Sequence, residues 1–134
     1  MARFALDTNA ISQILRRNTV ALARLQEATD NDDDLYMCPV VFYELSRGLR
    51  YRGANRQVDE LNTFARALQW IDYDAAMWTD AAAMWADQRR RGRVHDDADL
   101  LIAAFTRRLG APLVTNNTAD FADLGVPLVD WSVS

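Results

Sequence analysis

Several common chemistries are absent because their residues are absent. The 134-residue chain has one cysteine, Cys38, and one histidine, His95. A disulfide framework and a Cys/His zinc site are therefore both excluded. A pair of histidines for phosphodiester cleavage is excluded too, and a Ser-His-Asp hydrolase would have to use His95 without a GxSxG elbow. With 5 glycines and no GxxxxGK[ST] or GxGxxG, nothing supports phosphate cradling by a glycine-rich loop. The longest uncharged apolar run, Met37 to Tyr43, is far short of the roughly 20 residues that span a bilayer. No basic-then-apolar opening with a small-residue cleavage site is present, so a cytoplasmic protein without a membrane segment is expected. Lysine is missing altogether: all 15 basic residues are arginine, each a planar fork suited to phosphate or carboxylate. Among 19 acids only Glu27, Glu44 and Glu60 are glutamate, and the net charge of −4 argues against a sequence-independent nucleic-acid sleeve.

What is present is 50% hydrophobic and 25% charged, enough for one core and too little for two, so residues 1–134 are read as one domain. Ala2 to Leu6 reads as a buried strand stopping at Asp7. A helix follows, with Asn9 or Ser12 as its cap and Ile11, Ile14 and Leu15 as its stripe. Helical spacing continues through Val20, Leu22, Leu25 and Ala28. The acidic run Asp30 to Asp34 then reads as a solvated loop. Leu35 to Cys38 is a second strand, Pro39 opens a helix running to Gly53, and residues 55–69 form an amphipathic helix. Trp70-Ile71 is a third strand. Asp74 caps a helix whose Met77, Trp78, Ala81, Met84 and Trp85 read as core and whose end is Arg89 to Arg93. Asp96 or Asp97 starts another helix, closed by Gly110. Pro112 to Thr115 and Pro127 to Trp131 are strands on either side of a turn or short helix at 116–121. Short apolar strands alternating with helices imply an α/β fold, a three-layer α/β/α sandwich with a central parallel sheet. In such sheets ligands bind at the carboxyl ends of the strands.

Three acids stand where that rule points. Asp7 follows the first strand, Glu44 sits mid-helix among apolar neighbours, and Asp99 opens the helix DLLIAA. Asp7 can serve a turn and Asp99 a helix N-terminus, but Glu44 has no helix-end role. Acids in apolar stretches are paired, coordinated or functional. Carboxylates converging without His, Cys or Lys favour a hard cation such as Mg²⁺ or Mn²⁺. Asp96 and Asp97 are rivals of Asp99 with a capping role as the alternative. Asp96 shares its face at i,i+3, whereas Asp97 points elsewhere.

LDTNAIS, VVFYELSRG, DADLLIAA and LVTNNTADF, in this order across nearly the whole chain, resemble the PIN-domain ribonucleases, and among them the VapC-type toxins. The resemblance implies a PIN-like domain with Mg²⁺- or Mn²⁺-dependent endonucleolytic cleavage of RNA, commonly transfer or ribosomal RNA. It also implies a homodimer and a cognate VapB-like antitoxin seated in a groove among the early helices, here Ile11 to Leu25 and Phe42 to Leu49. Carried over by position, Asp7, Glu44 and Asp99 match the family's first three acids, with Asp7 and Asp99 as metal ligands. The fourth is ambiguous: Asn116 and Asn117 follow Thr115, and Asp120 is either a pocket member or a cap before Phe121. Thr8, Asn9, Thr115 and Asn117 are expected to orient carboxylates or water. Arg47 and Arg50, at i,i+3, are expected to seat RNA beside the acids, with Arg52 and Arg56 trailing them; a solvated helix face is the alternative. An RNA-maturation nuclease without an antitoxin and a non-catalytic PIN-like binding module are the competing functions.

Overall fold

The computed structural model describes residues 2–133; Met1 and Ser134, which the one-domain reading includes, lie outside them. Its elements are β1 (Arg3–Leu6), α1 (Thr8–Leu15), α2 (Thr19–Asp30), β2 (Asp34–Met37), α3 (Pro39–Tyr51), α4 (Asn55–Ala67), β3 (Gln69–Trp70), α5 (Ala75–Arg90), α6 (Asp97–Leu109), β4 (Leu113–Val114), α7 (Thr118–Phe121) and β5 (Leu128–Val129). Every strand pairing is parallel, in the order β3-β2-β1-β4-β5. Helices flank the sheet, giving the α/β/α arrangement that the alternation implied. No described helix is long and apolar enough to cross a membrane.

The sheet is thin because its strands are short, and its middle is the most deeply buried part. Ala5 and Leu6 of β1, Met37 of β2 and Leu113 and Val114 of β4 have no exposed surface. Such two-sided burial explains why these strands read as continuous apolar runs. Phe105 and Ile102 of α6, Ile11 of α1 and Val41 of α3 complete this core. Helix α6 ends at Gly110, whose φ of 70° closes the helix in the left-handed conformation that glycine tolerates best.

The structure corrects several sequence expectations. Neither Asn9 nor Ser12 caps α1: Asp7 does, accepting the Asn9 amide through its carboxylate. The acidic run is not one loop, because Asp30 ends α2 and Asp34 begins β2. Cys38 lies beyond β2 as the N-cap of α3, and β3 is Gln69–Trp70 rather than Trp70-Ile71. Most consequentially, Trp78 and Trp85 are not core. Met77, Ala81, Met84 and Gln88 form the buried stripe of α5, while Trp78 and Trp85, one position further round, are 54% and 43% exposed.

Candidate metal centre and adjoining cleft

β1 is central, with β2 on one side and β4 on the other, so the strand order reverses between β1 and β4. Beyond the carboxyl ends of these two strands lies the crevice where open parallel sheets bind ligands. Asp7 and Thr115 are the residues that leave β1 and β4 there. The Asp7 amide donates to the Val114 carbonyl at 3.0 Å, which locks the two strand ends together. Asp7 and Thr115 are both buried.

Around Asp7 the structure brings the other candidates together. Asp7 is pushed above its ordinary carboxylate range, chiefly by burial and further by Glu44 and Asp120. Hydrogen bonds from the Thr115 hydroxyl and the Asn9 amide pull it partly back. The Thr115 hydroxyl is itself oriented by the Asn117 amide, which donates to Oγ1 at 2.9 Å. Glu44 reaches the cluster from α3, its Oε1 accepting from the Thr8 hydroxyl at 2.9 Å. Asp99, in the first turn of α6, rises from 3.8 to about 7, mainly through burial and then through Asp120, Asp96, Glu44 and Asp7. Carboxylates from four distant segments thus repel one another in one crevice. Asp96 joins this field, whereas Asp97 turns away to line a depression with Trp78 and Trp85. Asp120 stands on α7 close enough to act on both Asp7 and Asp99.

Among the described residues, every ion pair uses a carboxylate outside this cluster: Glu60, Asp87, Asp123, Asp80 or Asp74. The clustered charge therefore has no arginine partner. Nor do any three described His, Cys, Asp or Glu side chains converge closely enough to enclose a metal by themselves. The donor set, all oxygen, suits a hard divalent cation held by one or two carboxylates and completed by water and phosphate, which is how Mg²⁺ is usually bound.

The remaining reactive groups serve the scaffold. The Cys38 thiol is buried, pushed up by that burial, and lies 3.1 Å from the Tyr73 hydroxyl, which donates to the Leu101 carbonyl at 2.8 Å. His95 contacts the buried Gln88 at 3.1 Å, and Gln88 donates to the Asp123 carbonyl at 3.3 Å. With the Arg93–Asp123 pair at 3.3 Å, this pins the loop before α6 to the segment after α7.

A cleft of about 630 Å³ opens beside Glu44 and Thr8. Arg47 and Arg50 are not among its lining residues. The Arg47 guanidinium lies over the Tyr43 ring, 5.0 Å from its centroid, and Arg50 donates to the Ser46 hydroxyl at 3.0 Å. The cations facing the cleft are Arg16, Arg17, Arg52 and Arg56. Arg16 and Arg17 escaped the sequence reading because only the observed end of α1, at Leu15, places them at the cleft. An adjoining, more apolar groove is lined by Ile14, Leu15, Leu22, Phe64 and Ala67 and shares Arg17 and Arg56 with the first. Part of the expected antitoxin stretch, Ile14 to Leu22, thus lines a groove; Phe64 of α4 completes it.

Comparison with known proteins identifies the family and the fold. The PIN domain family matches residues 4–127. A tRNA(fMet)-specific endonuclease VapC from Shigella flexneri is 31% identical over 134 residues, covering 98% of this chain and 100% of that protein. Ribonuclease VapC2 from Haemophilus influenzae is 24% identical, covering 90% of this chain and 91% of the relative. Among solved structures, DNA-bound VapBC from Salmonella typhimurium superposes with a TM-score of 0.85 at 25% identity, covering 98% of this chain and 99% of that one. VapBC2 from Rickettsia felis, bound to a promoter DNA fragment, gives a TM-score of 0.87 at 23% identity, with 96% and 98% covered.

Proposed function

Because the chain belongs to the PIN-domain family, as a VapC-type member, we propose that it is a Mg²⁺- or Mn²⁺-dependent endoribonuclease toxin. Its substrate is a structured RNA, transfer or ribosomal, and a VapB-like antitoxin neutralises it. We further propose that residues 1–134 act as one domain, in the cytoplasm, as a homodimer. The observation that carries the nuclease reading is the convergence of Asp7, Glu44, Asp99 and Asp120 at the strand-order reversal without a protein cation among them.

In this reading Asp7 and Asp99 hold the cation, directly or through water. A divalent ion there supplies neutralisation of charge on the phosphate and a more acidic bound water. Glu44, fixed by the Thr8 hydroxyl, orients the attacking water and takes its proton at the free carboxylate oxygen, with Asp120 assisting. Thr115 and Asn117 hold Asp7 in its rotamer, and Asn9 donates its amide to the same carboxylate. Water attacks rather than the neighbouring 2′-hydroxyl, so the products carry a 5′-phosphate and a 3′-hydroxyl. The apolar groove beside α1, α2 and α4 supports an antitoxin seat, and its overlap with the cleft at Glu44 gives a route to inhibition. The exposed Trp78 and Trp85 supply an apolar face for a second copy.

The experiment is cleavage of a transfer RNA pool with and without Mn²⁺, with end mapping. Cleavage should need the cation, leave 5′-phosphates, and disappear in Asp7→Asn and Asp99→Asn proteins that remain folded. Undiminished cleavage by either variant would refute the assignment.

A further inference from the structure

Arginine supplies every side-chain cation of known fixed charge here, so where each guanidinium goes is informative. Among the described residues most are engaged. Some donate to protein oxygens, as Arg3 and Arg50 do. Others form ion pairs or cover aromatic rings, as Arg107 and Arg89 do. Four have no such partner among the described residues: Arg16, Arg17, Arg52 and Arg90. Three of those four line the cleft that contains Thr8 and Glu44. They come from separate places, the end of α1 and the C-cap of α3, so no single helix face explains their meeting.

One backbone feature favours a ligand there, and one side-chain position links Arg52 to the same cleft. Arg17 has a φ of 61°, in the position after a helix end where glycine fits without strain. A bulky residue kept in that conformation points to a use for its side chain. Gly48 lies one turn from Glu44 and one turn from Arg52. A Cβ at Gly48 would stand 3.9 Å from Arg52 Nη1, so the Arg52 side chain runs back along α3 beside Gly48, in the cleft that Glu44 also lines.

We propose that Arg16, Arg17 and Arg52 form a phosphate-binding track that seats the backbone of single-stranded RNA and leads it across Gly48 to Glu44. This rests on the nuclease reading above. Unpartnered, solvent-exposed guanidiniums recognise phosphate in bidentate fashion and carry no base information, so they position the strand for the acids rather than choose its sequence. The local cation excess accounts for RNA binding by a chain whose net charge is −4. All three residues are exposed, so their replacement removes charge without disturbing the core.

The test measures binding of a fluorescein-labelled, unstructured RNA by anisotropy across a KCl series, in the non-cleaving Asp99→Asn protein with Mn²⁺. Each lost phosphate contact should flatten the log–log salt slope by about 0.7 for a single strand. The triple variant R16Q/R17Q/R52Q should therefore lose about 2 from the slope. R90Q, an equally unpartnered arginine away from the cleft, should leave the slope unchanged. R17G should raise the melting temperature while weakening RNA binding several-fold, opposite signs that a merely structural role would not give. A parental slope in the triple variant, or an R90Q effect equal to that of R52Q, would overturn the track. So would a triple variant that keeps full RNA binding and loses only its capture by an acidic protein partner. Cleavage of a transfer RNA pool by the parent protein with Mn²⁺ separates the two levels. If the parent cleaves and the triple variant keeps its slope, the track alone falls; if the parent neither binds nor cleaves RNA, the nuclease reading falls with it.

Discussion

Mutual repulsion among the clustered acids predicts that removing one of them strengthens the metal-free fold while abolishing activity. Asp99 is the clearest case, since burial and four neighbouring carboxylates raise it from 3.8 to about 7. In the unfolded chain it ionises near 3.8; in the fold it keeps its proton until about 7. At low pH both states are protonated and the site costs nothing. As pH rises through that window the unfolded state releases its proton first, and stability falls. In a dry site the rise would correspond to roughly 4 kcal/mol. Asp99 is only half-buried, so solvent screening reduces this to about 1–2 kcal/mol. Asn keeps the size and drops the charge, but forfeits about 0.3–1 kcal/mol of favourable interaction with the N-terminus of α6. Metal-free Asp99→Asn should then be more stable than the parent by about 1 kcal/mol at pH 8, a rise in Tm of roughly 3–5 °C for a chain of this size. The assay is scanning calorimetry of both proteins in EDTA between pH 4 and 8. The difference should shrink toward zero as pH approaches 4. A variant that melts no higher at pH 8, or a gap of equal size at both ends of the range, would refute the reasoning.

Other perturbations follow from the same geometry. Thr8→Val removes the hydroxyl that fixes Glu44 and should lower kcat about tenfold with little change in KM, while Thr8→Ser restores it; single-turnover cleavage measures this. Leu113→Ala, in a wholly buried position of β4, should cost about 2–5 kcal/mol by urea denaturation. Arg17→Gly should gain about 1 kcal/mol in the same assay, since φ of 61° costs an L-residue roughly that much. Trp85→Ser should shift sedimentation from dimer to monomer and leave the melting temperature of the monomer, measured at low protein concentration, unchanged, because Trp85 is 43% exposed on α5.

The fold was readable because its strands are short apolar runs and its helices carry regular stripes. The errors fall where a boundary depends on a partner. Asp34 belongs to β2 because it pairs in register with Arg3, and Gln69 to β3 because it pairs with Tyr36. Nothing local to either residue says so. Asp7 stands out in the sequence as a candidate metal ligand with a turn role as the alternative, and its carboxylate also caps α1, which shows why a capping aspartate at a strand end is so hard to separate from a ligating one. The exposure of Trp78 and Trp85 was illegible because the stripes through Met77 and Trp78 differ by a single helical step, and only packing of α5 on α6 decides which is buried. Asp7, Glu44 and Asp99 stand out as candidates from residue type and position alone. The nearness of Asp120 to Asp7 and Asp99 depends on where α7 lies, and the arginine cleft on where α1 stops; neither is carried by spacing.

The account depends above all on a divalent cation binding where these carboxylates meet. Titrating Mn²⁺ into the purified protein, with the free ion followed by electron paramagnetic resonance, tests that without any RNA. The account predicts saturable binding that Asp7→Asn and Asp99→Asn each weaken by an order of magnitude or more, with Arg90→Gln indistinguishable from the parent. Binding of equal strength in the parent and both aspartate variants, or none in any of them, would contradict it.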